Sequence, residues 1–198
     1  MLIFQNAVFL HVPKTGGTWV REAARAGGAT FSEYLVDGDQ HGDLSHCPYP
    51  NRFKFAFVRH PCAVYSSYWR FKMRHGWDWR NPFDHDCALD SFTDFVRRVL
   101  DRYPGWCTQT FEDYVGPVTK TIEFIGRYER LADDLVLALR QAGEPFDEAL
   151  LRRTPPANVS TWPVRELVWS PDLVAEVMHV EAGAVQRFGY TLSEWQAS

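Results

Sequence analysis

The feature that most constrains the fold is an apolar run that leads through a glycine-containing loop into a helix pattern. Residues 7–12 are almost continuously apolar, which is typical of a strand buried on both faces of a parallel sheet. The loop of residues 13–18 follows. Residues 19–26 then place small apolar side chains on one helix face before a glycine pair ends the helix. A strand, a loop and a helix are predicted in that order.

The same order recurs along the chain. Residues 53–58 are aromatic and β-branched, Pro61 ends this strand, and residues 63–74 can continue as a helix. Residues 119–125 predict another strand, which is followed by a leucine-bearing helix. Strands that alternate with helices favour an α/β fold. We therefore predict a single domain over residues 1–198, with a central parallel β-sheet flanked by helices.

The remaining segments are assigned more simply. Residues 173–188 predict one closing helix that ends at Gly189. Residues 76–90 and 152–163 are rich in turn-forming residues and are predicted to be surface loops.

Composition excludes several classes of partner. The chain of 198 residues is 45% hydrophobic, which is enough for a sizeable core, and its net charge is −4. Proteins that bind nucleic acids or anionic membranes usually carry a basic excess, so neither partner is expected. No signal-peptide pattern and no apolar run of about 20 residues is present, so a cytoplasmic protein with no membrane partner is predicted. The four cysteines form no C-x-x-C pair and are predicted to be free thiols.

The loop after the first predicted strand has the chemistry of an anion site. Gly16 and Gly17 let the backbone approach a tetrahedral anion, Thr15 and Thr18 add hydroxyl donors, and Lys14 adds a positive charge. A mere strand-to-helix turn is the alternative. The loop is not a Walker A motif, because in that motif the lysine follows the glycines.

Two motifs together resemble a known family. Residues 9–19, FLHVPKTGGTW, resemble the 5′-phosphosulfate loop of sulfotransferases that use 3′-phosphoadenosine 5′-phosphosulfate (PAPS), particularly the carbohydrate sulfotransferase branch. Residues 57–61, FVRHP, followed by SSYW at 66–69, resemble the family's 3′-phosphate motif, in which a serine stands eight residues after an arginine. Arg59 and Ser67 match that spacing. His60 departs from it, since the family often has Asp or Asn there.

Further segments resemble the family less specifically. They are IGRYERL at 125–131, NVS at 158–160 and FGY at 188–190. The resemblance implies a P-loop NTPase-like sulfotransferase fold. It also implies PAPS as sulfuryl donor, adenosine 3′,5′-bisphosphate as product, and no metal.

The resemblance also assigns roles to residues. Lys14 would stabilise the bridging oxygen of the leaving group, and the loop amides with Thr15, Gly16, Gly17 and Thr18 would hold the 5′-phosphate. Arg59 and Ser67 would hold the 3′-phosphate. Trp19 would either pack on the adenine or fill the core.

An acceptor hydroxyl needs a base, for which His41 is the first candidate. It lies between the two cofactor motifs, where the carbohydrate branch places a histidine base. His46 is the alternative, and Asp39 or Asp43 is a candidate to orient the ring. The predicted acceptor is a small molecule or glycan.

Several alternatives stay open at this stage. One segment has two interpretations: its side chains line the acceptor groove, or they belong to a structural loop. The residues are Arg74, His75, Trp77, Trp79 and Arg80. The chain is alternatively a P-loop-type nucleotide kinase, or a nucleotide- or glycan-binding module without turnover. The histidine and cysteine clusters at 46–47 and 84–87 lack the spacing of a zinc site.

Overall fold

A mixed β-sheet of five strands organises the first part of the chain, in a computed structural model that describes residues 1–157 and 167–196. The order of the strands across the sheet is β3-β1-β2-β4-β5. In sequence they are β1 (Leu2–Phe4), β2 (Ala7–Leu10), β3 (Phe31–Glu33), β4 (Phe53–Val58) and β5 (Phe124–Arg127).

Helices make up most of the remaining regular structure. In the described residues they are α1 (Gly17–Ala26), α2 (Pro61–His75), α3 (Pro82–Cys87), α4 (Phe92–Arg102), α5 (Trp106–Val115), α6 (Leu131–Gln141), α7 (Glu148–Arg152), α8 (Pro171–Val180), α9 (Ala182–Phe188) and α10 (Leu192–Gln196). Single helical turns lie at Leu44–His46, Val118–Lys120 and Tyr128–Arg130. Within the part of the chain that the structure describes, none of these helices combines the length and apolar character of a membrane span.

The described residues divide into two compact units. One contains residues 1–59 and 110–157, and therefore the whole sheet; the other contains residues 60–109 and 167–196, and is helical. The prediction of an α/β fold is confirmed.

The prediction of a purely parallel sheet is wrong at one side. β2, β4 and β5 are parallel, but β1 pairs antiparallel with both β2 and β3. Only Gln5 and Asn6 separate β1 from β2, and so short a connection can join antiparallel neighbours but cannot make a parallel crossover. The sheet is therefore mixed.

The core of the sheet unit is aromatic. Phe4, Phe9, Phe55 and Phe57 are buried in one cluster, with ring centroids of neighbouring pairs about 5–6 Å apart. Leucines of α6 and α7 and alanines of α1 complete it. Each of the large apolar side chains contributes on the order of 1.5–3 kcal/mol by its removal from water. This packing fixes α1 and α6 against the sheet.

A buried carboxylate organises the helical unit. Glu181 accepts hydrogen bonds from the Tyr65 hydroxyl (2.7 Å), the Cys107 amide (3.0 Å) and both the amide (2.8 Å) and hydroxyl (2.7 Å) of Thr108. It stands between α8 and α9, so the single closing helix predicted for residues 173–188 is in fact two. Glu181 leaves helical geometry there and satisfies the first amides of α5.

Two predicted loops also differ from expectation or lie partly outside the described residues. Residues 76–90 contain helix α3, which begins where the Asn81 side chain accepts the Phe83 amide and Pro82 occupies the first turn. Of the loop predicted for residues 152–163, residues 158–163 lie outside the described residues, and so does the NVS segment.

The turn between β1 and β2 provides a test of stability. Glu144 is buried, and one of its carboxylate oxygens accepts the amides of Asn6 (2.5 Å) and Ala7 (3.0 Å). Glu144→Ala leaves both amides unsatisfied and should lower the free energy of unfolding by about 1–3 kcal/mol, measured by urea denaturation. Glu144→Gln keeps the accepting oxygen and is the matched control. Equal losses in the two variants would contradict this role.

Candidate functional site

The Lys14 loop turns the chain sharply from β2 into α1. Lys14 has a φ of 67° and Gly16 one of 89°, so a non-glycine residue is held in the left-handed region. That conformation costs about 1–2 kcal/mol for a residue with a Cβ and persists only where its surroundings hold it. The Lys14 carbonyl is held by Arg59, whose Nη1 donates to it at 3.2 Å.

The first turn of α1 presents backbone donors at this loop. The helical hydrogen bonds begin with the Val20 amide donating to the Gly16 carbonyl, so the amides of Gly17, Thr18 and Trp19 precede the first of these bonds. The first turn contains no acidic residue. A helix N-terminus of this kind, with Lys14 beside it, fits a phosphate or sulfate group.

Packing also requires glycine at positions 16 and 17, apart from any approach of an anion to the backbone. A Cβ on Gly16 would lie 2.7 Å from the Leu131 side chain, and its positive φ also favours glycine. A Cβ on Gly17 would lie 2.0 Å from the imidazole of His11. The pair therefore serves the packing of the loop against its neighbours as well as its backbone conformation.

The side chains of Thr15, Thr18 and Trp19 differ in burial and in their hydrogen-bond partners. Thr15 is fully buried and its hydroxyl donates to the Val12 carbonyl at 2.9 Å, so the hydroxyl expected to face an anion is already engaged. Thr18 is half-buried in the first turn of α1. Trp19 packs against the core cluster and its Nε1 donates to the Thr154 carbonyl at 3.3 Å. The core contact of Trp19 is thus present, and adenine stacking stays a prediction.

Arg59 lies where β4 ends and contacts two segments of the same unit. Besides its bond to Lys14, its guanidinium lies 3.9 Å from the centroid of the Tyr128 ring. Tyr128 follows β5, and its ring also lies against Gly16. The sequence did not single out Tyr128 within the IGRYERL segment, although its place directly after a strand was the available signal.

Ser67 lies in α2 of the helical unit, half-buried. Its neighbour Ser66 is buried, donating to the Cys62 carbonyl (2.9 Å) and accepting from Trp169 Nε1 (3.0 Å). Ser66 therefore has a structural role, which leaves Ser67 as the candidate of the pair. A phosphate shared by Ser67 and Arg59 stays a prediction.

His60 has a capping role at the start of α2. Its Nδ1 accepts the Cys62 amide at 3.2 Å, so the ring proton is on Nε2, which faces the Thr191 carbonyl at 3.3 Å. Asp and Asn, expected here from the family, are the usual capping residues. The imidazole supplies the same acceptor, which accounts for this departure without a change to the neighbouring arginine.

His41 has a defined tautomer. Its Nδ1 lies 2.9 Å from the His11 carbonyl, and because a carbonyl only accepts, Nδ1 carries the proton and Nε2 has the lone pair. Burial lowers the pKa of His41, against the opposing effects of the His11 carbonyl and Asp39; the amino group of Met1 and, least, the charge of Lys14 lower it further. The imidazole is thus neutral at neutral pH, as a general base requires.

The alternative base has different surroundings. His46 is exposed, and its Nδ1 lies 2.8 Å from an oxygen of Asp43. Asp39 accepts the backbone amide of His41 at 2.9 Å rather than a ring nitrogen. The group that orients the His41 ring is therefore the His11 carbonyl, and neither aspartate that the sequence suggested has that role.

The predicted acceptor residues have separate environments in the helical unit. Trp79 is 65% exposed. Trp77 packs against Phe95, with the centroids 5.9 Å apart, and Arg80 pairs with Asp78. The His75 ring lies against Phe71, with the centroids 4.6 Å apart and the planes tilted by 38°, and Arg74 is exposed. Both interpretations of this segment, acceptor groove and structural loop, stay open.

The polar strings considered for a metal have other partners. Asp84 is buried, forms an ion pair with Lys72 and accepts the Tyr68 hydroxyl at 2.5 Å. Over residues 1–157 and 167–196, no three His, Cys, Asp or Glu side chains converge in a way that would hold a metal ion.

Comparison with models of known protein families, with curated proteins and with solved structures found no match. The likeness to sulfotransferases is therefore one of sequence motifs alone.

The interaction of Lys14 with His41 is directly measurable. Lys14→Met removes a positive charge that disfavours the imidazolium, so the pKa of His41 should rise, measured by NMR titration of labelled histidine. The rise should be partial, because burial is the larger cause of the lowered value. Lys14→Arg keeps the charge and should leave the titration near that of the parent protein. An equal pKa of His41 in the Lys14→Met and Lys14→Arg variants would contradict this electrostatic effect.

Proposed function

We propose that the protein is a PAPS-dependent sulfotransferase that sulfates an acceptor hydroxyl. The observation that carries the proposal is the position of Lys14. Its carbonyl is held by Arg59, and its positive charge is among those that lower the pKa of His41. The residue assigned to the leaving group is thus in contact with the arginine assigned to the donor and within electrostatic reach of the candidate base.

The proposed binding site for PAPS consists of groups that the fold already holds in place. The amides at the start of α1 and the Thr18 hydroxyl bind the 5′-phosphate, and Arg59 with Ser67 binds the 3′-phosphate. The Arg59 guanidinium is held in advance by the Lys14 carbonyl and the Tyr128 ring, so little ordering is needed on binding.

The transfer step balances without a metal or redox partner. His41 Nε2 takes the proton of the acceptor hydroxyl, whose oxygen forms a bond to sulfur. The bond from sulfur to the bridging oxygen breaks, and its electron pair stays on the phosphate oxygen, where Lys14 offsets the developing charge. The products are the sulfated acceptor and adenosine 3′,5′-bisphosphate, with the proton on His41. A carbohydrate is the acceptor class that the family resemblance suggests first.

Binding of the desulfated product tests the donor site. Adenosine 3′,5′-bisphosphate should bind at least about tenfold more tightly than AMP in calorimetry, because only the former presents a 3′-phosphate to Arg59 and Ser67. Arg59→Ala should weaken both ligands, since Arg59 also holds the Lys14 carbonyl. Arg102→Ala, an exposed arginine of α4 paired with Asp101, is the control. Equal affinity for the two nucleotides would refute the 3′-phosphate assignment.

Transfer from radiolabelled PAPS to a panel of sugars, phenols and lipid hydroxyls tests the reaction. His41→Ala should lower the rate about 10²–10⁴-fold while keeping the affinity for adenosine 3′,5′-bisphosphate. His46→Ala is the matched comparison and should retain transfer. Loss in the His46 variant alone would move the role of base to that residue. Turnover of ATP that requires magnesium, with none of PAPS, would favour a nucleotide kinase.

A further inference from the structure

His11 lies at the end of β2, between the loop and His41. It is 7% exposed, and its ring stacks on Phe9 with the centroids 5.7 Å apart. The edge of the imidazole lies so near Gly17 that even a Cβ there would overlap it. The centroid of the His41 ring is 4.3 Å away. His11 thus fills the space between the start of α1 and the candidate base.

Both parts of His11 contact His41. The backbone carbonyl accepts the Nδ1 proton at 2.9 Å, which fixes the tautomer, and the side chain packs against the ring at an interplanar angle of 52°. One bond alone would leave the imidazole free to rotate about it. The second contact removes that freedom.

We propose that His11 is a positioning residue, whose buried ring, held between Gly17 and His41, keeps the His41 imidazole in one orientation with Nε2 as its unprotonated nitrogen. This role rests on the proposed function, in which His41 takes the proton of the acceptor.

The His11 ring also has a polar neighbour in Gln40. The Gln40 carbonyl oxygen contacts the Arg21 guanidinium, and its amide nitrogen lies 3.4 Å from His41 Nε2. The Gln40 side chain also forms a hydrogen bond with the His11 ring. Gln40 therefore joins the two rings on the side away from the His11 carbonyl. An acceptor hydroxyl would replace this long contact at Nε2.

His11 is also a neutral neighbour. Burial, followed by the influence of His41, lowers the pKa of His11 to about 2, so it adds no positive charge beside the base. The groups that face His41 are His11 from β2, Lys14 from the loop, Asp39 and Gln40 from its own segment, the Tyr114 hydroxyl of α5 at its backbone carbonyl, and the amino group of Met1.

Three variants at position 11 distinguish the effect of an aromatic ring from the effect of hydrogen bonding. His11→Phe keeps an aromatic ring of similar size, His11→Gln keeps hydrogen bonding without a ring, and His11→Ala removes both. Urea denaturation of each variant shows whether it folds. If His11→Ala does not fold, the comparison of Phe with Gln tests the same point.

The first measurement needs no substrate. NMR of labelled imidazoles reports the tautomer and the titration of His41 in the free protein. In His11→Ala and His11→Gln, water should reach His41, its pKa should rise towards the ordinary value of about 6.5, and mixed tautomers should appear. In His11→Phe the parent behaviour should persist. An unchanged His41 in all three variants would overturn the proposal.

The second measurement is the rate of transfer. His11→Ala should lower kcat about tenfold or more with less than a threefold change in the KM for PAPS, and His11→Phe should restore most of the rate. Because the pKa of the base rises, the loss in His11→Ala should be larger at pH 6 than at pH 8. A uniform loss at all pH values, not restored by Phe, would overturn the positioning role.

The two proposals fail in different ways. A wild-type protein that sulfates no acceptor, together with the expected NMR changes, would refute the sulfotransferase and leave the packing of His41 by His11 intact. A wild-type protein that transfers sulfuryl groups, with unchanged NMR and kinetics in the variants, would refute the role of His11 alone.

Discussion

The parallel pairing of β2, β4 and β5 is the constraint on which the candidate site depends. Leu10 stands opposite Ala56, and Val58 opposite Arg127, so the three strands end at the same edge of the sheet. The Lys14 loop, Arg59 and Tyr128 follow these ends, and they contact one another directly. A slip of one residue in either register would turn every side chain of that strand to the other face and separate these contacts.

Around that edge, burial determines the chemistry of the histidines. His11 and His41 are neutral chiefly because the protein interior disfavours an imidazolium, and the amino group of Met1 lowers the pKa of both. Gly17 makes room for the His11 ring, so one glycine serves both the start of α1 and the packing of the candidate base. The Lys14 loop and His41 are thereby connected through residue 11.

Local patterns in the sequence predicted much of this part of the fold. β2, β4 and the helices α1 and α2 agree with expectation to within a few residues, because continuous apolar runs, glycine pairs and proline are strong local signals. β1 and β3 were missed, since three-residue strands carry little pattern. The break at Glu181 was missed as well, because it depends on buried donors at Tyr65, Cys107 and Thr108, which are distant in sequence.

The sequence by itself determined the α/β class, the strand-loop-helix order around Lys14 and a short set of candidate residues, because these depend on residue type and nearby spacing. Only the tertiary structure decided how they are used. In it the Thr15 hydroxyl donates to the Val12 carbonyl, and Asp43 pairs with His46. The His11 carbonyl fixes the His41 tautomer. Hydrogen bonds of this kind join residues whose distance in space is set by strand pairing and packing, which spacing along the chain does not encode.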